Sequence, residues 1–281
     1  MRKKRRWTNI ILWIAVIVAV VWMLFPFYWA VITSIKKPAD VFRLSFIPFV
    51  QFEPTSENWR SELRMRCQEI KRGLKNSLII GVCSALVALF IGALAGYGLA
   101  RYKYHRVKNR DITMWILSQR FLPPAAVVIP FFLIFKTLGL IDSVVGLVLI
   151  NATFGIPFAV LVTRDAFRDL PEEIEESALV DGCSRFQVFS RIALPLAAPA
   201  LVAAGIICFA FAWNEFLFAF IMSYSKAVPM TVLIAGTQDT QGIQFWYVAT
   251  RMLMAVVPPT ILALTVQRYI VQGLTFGAVK G

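Results

Sequence analysis

The chain is poor in the residue types that build most catalytic and metal sites. Its only histidine is His105, so a metal site made of several histidines is excluded and a histidine-based catalytic triad is not expected. The four cysteines are far apart and lack metal-ligand spacing, so we expect free thiols. The sequence contains no Gly-x4-Gly-Lys-Ser/Thr phosphate loop, so we do not expect this chain to bind ATP and Mg²⁺ itself. These absences predict a protein that is not an enzyme and holds no cofactor and no metal.

Charged residues are also scarce, at 16% of 281 residues, whereas 58% of the residues are hydrophobic and the mean hydropathy is +0.68. This composition is not that of a soluble domain. Because a bilayer core about 30 Å thick needs roughly 20 apolar residues per helix, each long apolar run is a candidate span. Six runs qualify, at residues 7–35, 76–100, 113–135, 143–163, 192–214 and 245–267. We predict an all-α polytopic membrane protein with about six transmembrane helices, although Arg120 and Arg251 interrupt the third and sixth.

Lysine and arginine in short loops stay on the cytoplasmic side of a membrane. Basic residues cluster at residues 2–6, 101–110 and 164–191, which predicts that these loops and both termini are cytoplasmic. Residues 36–75 then form an external loop, whose length makes its nine basic and five acidic residues tolerable. We assign the net charge of +13 to contact with the lipid bilayer rather than nucleic acid. The basic N-terminus is predicted to be a retained anchor, not a cleaved signal peptide.

A polar segment separates the fourth and fifth apolar runs. Pro171 and the acidic residues after it predict the start of a short helix, and Gly182 predicts its end. A second helical pattern follows, with an apolar face formed by Phe186, Phe189, Ile192 and Ala193. We expect a helix-turn-helix outside the membrane that leads directly into the fifth span. On composition alone, an interfacial helix that only caps the bundle is the alternative.

The order Glu-x-Ala-x-x-Asp-Gly-x9-Ile-x-Leu-Pro, from Glu176 to Pro195, resembles a cytoplasmic loop of bacterial ATP-binding-cassette importers. In that family the permease subunits use this loop to dock onto their ATPases, and its first short helix enters a cleft on the ATPase. The resemblance implies that the docking residues here are Glu176, Ser177, Ala178, Asp181, Gly182, Ile192, Leu194 and Pro195. Ser177 replaces an alanine of the family pattern, a small-for-small change that we expect to weaken docking little.

Nearly the whole chain resembles the carbohydrate-uptake branch of that family, close to the second maltose permease subunit. The similar segments are Asn76-Ser-Leu, Ala95 to Arg101, Trp213-Asn-Glu-Phe216 and the tail from Gln267 to Gly281. The resemblance implies a single permease domain over residues 1–281 with the type I importer transmembrane fold. In relatives the tail reaches toward the ATPase pair, which implies a second coupling contact at residues 277–281.

Polar groups inside membrane spans are costly and are therefore candidates for a substrate pathway. The candidates are Arg120, Asn151, Asn214 and Glu215. Arg120 could donate hydrogen bonds to sugar hydroxyls or pair with an anionic group on a substrate, whereas its alternative role is a structural ion pair with Glu215.

Small residues and prolines inside the spans predict helix packing and helix bending. Gly92 and Gly96 are four residues apart and predict the close approach of a neighbouring helix. Prolines at 26, 123, 124, 130, 157, 258 and 259 are expected to bend helices along a gated pathway. The alternative is that proline is simply common in membrane helices.

Together these features predict a permease subunit of an ATP-driven importer in a bacterial cell (inner) membrane. The solute would be a sugar, polyol or sugar derivative, and the sequence leaves open which one and whether it is anionic. The resemblance implies three partners: a homologous second permease subunit, an ATPase subunit dimer that binds ATP and Mg²⁺, and an extracytoplasmic solute-binding protein. This chain would form half of the translocation pathway. A nucleotide-independent secondary transporter or channel is the alternative, against which stand the lack of a clear internal repeat and of intramembrane acids other than Glu215.

Overall fold

The computed structural model describes residues 2–239 and 242–275, with side chains over 9–237 and 242–267. Most of these residues are helical, and one short antiparallel hairpin pairs β1 (Gln238–Asp239) with β2 (Gly242–Ile243). Short π-helical segments lie at Ser61–Met65 and Phe189–Ala193, and a 3-10 turn lies at Gln119–Phe121. The α-helices are α1 (Arg2–Ser34), α2 (Pro38–Val41), α3 (Glu57–Arg60), α4 (Cys67–Arg101), α5 (Asn109–Ser118), α6 (Pro124–Thr137), α7 (Val144–Arg168), α8 (Glu172–Val180), α9 (Arg185–Val188), α10 (Leu194–Leu196), α11 (Ala198–Trp213), α12 (Leu217–Met222), α13 (Met230–Ala235) and α14 (Phe245–Thr275).

Four single helices within the described residues are long and apolar enough to cross a membrane. They lie at Asn9–Ser34, Cys67–Arg101, Val144–Arg168 and Phe245–Gln267, which matches the first, second, fourth and sixth predicted runs. Two bent helix pairs raise the number to six if each pair forms one span. The predicted all-α membrane fold is therefore confirmed, with two spans that differ from the straight helices expected for them.

The third predicted span is broken. Asn109–Phe121 and Pro124–Thr137 meet at 92°. Pro123 and Pro124 explain the break, because each lacks a backbone donor and each disfavours helical geometry in the residue before it. Helix α6 has 14 residues and so spans about 21 Å, less than the bilayer core. The other prolines predicted to bend spans, including the adjacent Pro258 and Pro259, lie inside continuous helices, so only Pro123 and Pro124 coincide with a break.

The fifth predicted span starts later than expected. Helix α11 begins at Ala198 and is bent by 75° from Arg185–Leu196. The predicted start at residue 192 is therefore wrong. The apolar residues 192–196 continue the helical path of the preceding polar segment, and Pro199 lies in the first turn of α11, where a missing backbone donor costs nothing.

The chain divides into two compact units. The first contains the chain up to Lys71 together with Leu233–Val256. In it a buried ion pair joins Glu62 to Arg251, whose Nε atom lies 2.8 Å from Glu62 Oε2. Arg251 also donates to the backbone oxygen of Leu233 at 2.6 Å. The arginine that interrupts the sixth apolar run is thus neutralised by an acid from the loop before α4.

The second unit contains Arg72–Val232 and the chain from Val257 onward. Helices α4 and α7 approach closely at Gly92 and Gly96: a Cβ added to Gly92 would lie 2.5 Å from Ala159 Cβ, and one on Gly96 would overlap the Thr163 hydroxyl. Thr163 Oγ1 donates to the backbone oxygen of Gly92 at 2.7 Å. The predicted packing role of these glycines is confirmed.

Helix α7 also packs along α11 in this unit. Their shared core includes Ala159, Cys208 and Phe209, with Trp213 at the end of α11. The same core includes Ala85 and Ala88 of α4, so α4, α7 and α11 pack together. The 3-10 turn at Gln119–Phe121 contacts α7.

Candidate functional site

The predicted helix-turn-helix is present between α7 and α11. Helix α8 begins after Pro171 and carries Glu172, Glu173 and Glu175 in its first turn, where the helix dipole favours negative charge. It ends before Gly182, whose φ of +88° belongs to the left-handed region that favours glycine. Helix α9 starts with a capping box between Ser184 and Gln187. Local sequence signals therefore account for both helices and for the turn between them.

One face of α8 is anchored to the end of α4 through Glu175. The buried Glu175 carboxylate accepts a hydrogen bond from Tyr97 Oη at 2.7 Å and from Arg101 Nε at 2.8 Å. Arg101 Nη2 also donates to the backbone oxygen of Leu170 at 3.0 Å. Sequence reasoning missed this anchor, although Glu175 and Ala178 are three residues apart and so share one helix face.

The opposite face of α8 is open to solvent. Glu176, Ser177, Asp181 and Gly182 are exposed, as four of the predicted docking residues must be if they bind another chain. Ala178 is buried and packs within this chain. Val180, which the motif does not include, is 87% exposed beside Asp181. A valine this exposed, next to a helix end, is a feature that sequence reasoning did not identify.

The second part of the motif lies on the helical path toward α11. Ile192 and Leu194 are half-buried, and Leu194 packs against a core formed by Tyr97, Phe167, Phe189, Ala193 and their neighbours. Pro195 is exposed. Phe186 was predicted to share an apolar face with Phe189, and their ring centres lie 6.3 Å apart, but Phe186 is 70% exposed. The exposed surface of the loop, which we call the docking face, comprises Glu176, Ser177, Val180, Asp181, Gly182 and Phe186.

The predicted pathway residues lie in the second unit but do not form one cluster of mutual contacts. Asn151 donates to the backbone oxygen of Leu147, and Asn214 donates to that of Ala210, both at 2.8 Å. The Glu215 carboxylate accepts backbone N–H groups from residues 218 and 219 at 2.8 and 3.1 Å. Each of these three polar groups is therefore hydrogen-bonded to the backbone of its own segment.

Arg120 differs from the other three. Its guanidinium carbon lies 4.9 Å from the ring centre of Phe211 and 5.7 Å from that of Phe158. No ion pair joins Arg120 to Glu215 in the structure, where both side chains are described, so the structural pairing considered for them is not made. Arg120 lies in the 3-10 turn at the break of the third span and is exposed.

The chain is thus a polytopic all-α membrane protein with up to six spans and a helical loop that has one anchored and one exposed face. The chain belongs to the family described as binding-protein-dependent transport system inner membrane component, whose model matches residues 62–276. The match covers the docking face and the three segments that carry the predicted pathway residues. The resemblance to importer permeases deduced from the motif is therefore confirmed.

Two proteins named as permeases match this chain over nearly their full lengths. The chain is 34% identical to the trehalose transport system permease protein SugB of Mycobacterium tuberculosis, covering 92% of this chain and 93% of SugB. It is 31% identical to the trehalose/maltose transport system permease protein MalG of Thermococcus litoralis, covering 97% of each. A crystal structure of a bacterial ABC transporter involved in alginate import has a chain that matches with a TM-score of 0.74 at 22% identity, covering 94% of this chain and 96% of that one. The type I importer fold is thereby confirmed.

Proposed function

We propose that this chain is one permease subunit of an ATP-driven importer for a sugar, polyol or sugar derivative. The named functions of SugB and MalG, which carry trehalose or maltose, support the substrate class. The family description supports delivery of the solute by a binding protein. In this proposal a homologous second permease supplies the other half of the pathway, and residues such as Arg120, Asn151, Asn214 and Glu215 line this half.

The observation that carries the coupling proposal is the division of α8 into two faces. Its inner face is fixed to α4 by the Glu175 carboxylate, and the docking face stands free. A helix held on one side and open on the other is suited to enter a cleft on an ATPase and to pass its movement on to the spans. We assign docking to Glu176, Ser177, Asp181 and Gly182, with Val180 and Phe186 as apolar anchors beside them.

In this mechanism the partner ATPase pair binds ATP and Mg²⁺ and carries out hydrolysis. Closure of the ATPase pair moves α8, the spans switch access between the two sides, and the binding protein delivers solute from outside. The docking loop and both termini are cytoplasmic in this arrangement. The predicted second coupling contact at residues 277–281 lies outside the described residues and remains a prediction.

The test introduces a charge into the docking face. Burial of a fully exposed valine at an interface contributes about 1.5–3 kcal/mol, so Val180→Asp is expected to weaken ATPase binding by about tenfold to a hundredfold. Co-purification of the ATPase and binding-protein-stimulated ATP hydrolysis measure the effect. Val107→Asp is the matched control, because Val107 is 49% exposed in the other basic loop, between α4 and α5. Equal binding by both variants, or uptake without any ATPase, would contradict the proposal and favour a nucleotide-independent transporter.

A further inference from the structure

We infer that Arg120, between Phe158 and Phe211, forms a subsite for the acidic group of an anionic carbohydrate. The inference rests on the proposed function, since it names the class of sugar that the pathway would carry. It depends on four observations: the depth of Arg120, the break in the backbone beside it, the absence of a described acidic partner and the two aromatic rings that its guanidinium contacts.

The depth of Arg120 follows from its neighbours. Phe158 lies near the middle of α7, a helix of 25 residues, and Phe211 lies on α11, which packs against it. A guanidinium in contact with both rings is therefore well inside the membrane. A charged group at this depth is costly in lipid and is found facing a protein interior or a water-filled cavity.

The break in the backbone beside Arg120 indicates that the Arg120 side chain faces water. The helical hydrogen bonds stop at the 3-10 turn Gln119–Phe121, and the next helix starts at Pro124. Broken backbone at membrane depth is tolerated only where protein buries it or where it lines water. The side chain of Arg120 is exposed, as are those of Gln119 and Phe121 on either side. This chain therefore leaves the break uncovered on the side where the guanidinium lies.

No acidic side chain described in the structure lies within ion-pairing distance of Arg120. This sets it apart from Arg251, which is buried and paired with Glu62. The two cation–π contacts orient the Arg120 guanidinium but leave its five N–H donors available, because aromatic faces attract the charge without accepting all of the hydrogen bonds. An uncompensated positive charge with free donors is suited to receive an anion.

The geometry of the free N–H donors of Arg120 favours one class of anion. The guanidinium is a planar fork that binds carboxylate-type groups through two parallel hydrogen bonds. Phe211 is 51% exposed and presents an apolar surface next to that fork. Asn214 follows Phe211 by three residues, so its exposed amide lies on the same side and can bond a hydroxyl. The Arg120 guanidinium can bind an acidic group, the Phe211 ring can contact an apolar sugar face, and the Asn214 amide can bond a hydroxyl. This combination matches a sugar acid better than a neutral sugar.

The experiment uses the complete assembly of this chain, the second permease, the ATPase pair and the binding protein in proteoliposomes. ATP-dependent uptake is measured for matched pairs: glucose and glucuronate, galactose and galacturonate, and disaccharides containing each. We expect the anionic member of one pair to be carried. Arg120→Gln should raise the KM for that acid by about tenfold to a hundredfold, the loss expected for a charge-assisted bidentate contact. Arg120→Lys, which keeps the charge but loses the fork, should fall between Arg120→Gln and wild type.

Arg110→Gln is the matched control, because Arg110 is exposed at the start of α5, the helix that leads to Arg120. It should leave uptake unchanged. Carriage of only neutral sugars by the wild-type assembly, or an equal loss of neutral and acidic sugars in Arg120→Gln, would overturn the inference while leaving the importer function intact. Loss of the second permease from Arg120→Gln during purification would also overturn it, since the guanidinium would then be an intersubunit contact. A wild-type assembly that carries no sugar with ATP would instead remove the proposed function itself.

Discussion

Replacing Glu175 by glutamine removes the charge that fixes α8 to α4. The wild-type carboxylate accepts one hydrogen bond from Tyr97 and one from Arg101 Nε, and Arg101 Nη2 lies 2.8 Å from the same carboxylate, with both residues largely buried. Glutamine turns one acceptor oxygen into a donor and leaves the Arg101 charge with only the Leu170 carbonyl and Glu172 at 3.8 Å. Breaking a buried pair by removing one partner costs about 3–5 kcal/mol. Because Arg101 keeps two other acceptors, we expect a smaller loss, of about 2–3 kcal/mol.

Two measurements separate stability from coupling. Thermal unfolding of the purified assembly reports the loss of stability, and the ratio of solute carried to ATP hydrolysed reports whether α8 still moves the spans. Glu175→Gln should lower both. Glu172→Gln is the control, because it makes the same chemical change toward the same arginine at a side chain that is 70% exposed, and its effect should stay below about 1 kcal/mol. A normal transport ratio in Glu175→Gln would refute the argument that this carboxylate transmits the movement of α8.

Two further predictions concern buried charges elsewhere. Glu62→Gln should destabilise the chain by about 3–5 kcal/mol, because it leaves the buried charge of Arg251 without its ion-pair partner. Glu69→Gln is the control: Glu69 is an exposed acid 4.0 Å from the same arginine, and its replacement should change thermal stability little. Burial disfavours the charge of Asp142, but hydrogen bonds from backbone N–H groups of residues 224–227 outweigh it and hold its pKa below the ordinary value. Its contribution is therefore complete above the unfolded pKa of about 3.9 and is lost as pH falls through the lower folded pKa, so the difference in melting temperature between wild type and Asp142→Asn should shrink below about pH 4.

The sequence predicted the features that local chemistry determines. Apolar run length located the spans, since the bilayer fixes how long an apolar helix must be. Proline and acidic residues located the start of α8, and Gly182 located its end, because only glycine adopts a φ of +88° at little cost. The small residues Gly92 and Gly96 predicted a close helix contact that the structure contains. Each of these signals lies within a few residues of the feature that it predicts.

Features that depend on distant partners were not predictable in this way. Glu175 meets Tyr97 across 78 residues, and Glu62 meets Arg251 across 189. No residue near either acid in the sequence identifies its partner. Arg251 was therefore predicted only to interrupt the sixth span. The break beside Arg120 was only partly predicted, since Pro157 in α7 and the adjacent Pro258 and Pro259 in α14 leave their helices continuous. A proline pair alone therefore does not determine where a span breaks, and the sequence did not distinguish Pro123 and Pro124 from Pro258 and Pro259.

The docking face and the aromatic pair around Arg120 are joined by two paths through the second unit. One path runs from α8 through Glu175 to α4, and from α4 to α7 at the glycine contacts, where α7 carries Phe158. The other follows the chain through the 75° bend into α11, which carries Phe211. The two rings lie 6.2 Å apart, centre to centre. Because packed helices shift between discrete arrangements rather than deforming continuously, a movement of α8 that acts unequally on α7 and α11 would change this separation. The guanidinium would then lose one of the rings that orient it. Under the proposed function, release of an anion at Arg120 would thereby be coupled to the state of the ATPase pair.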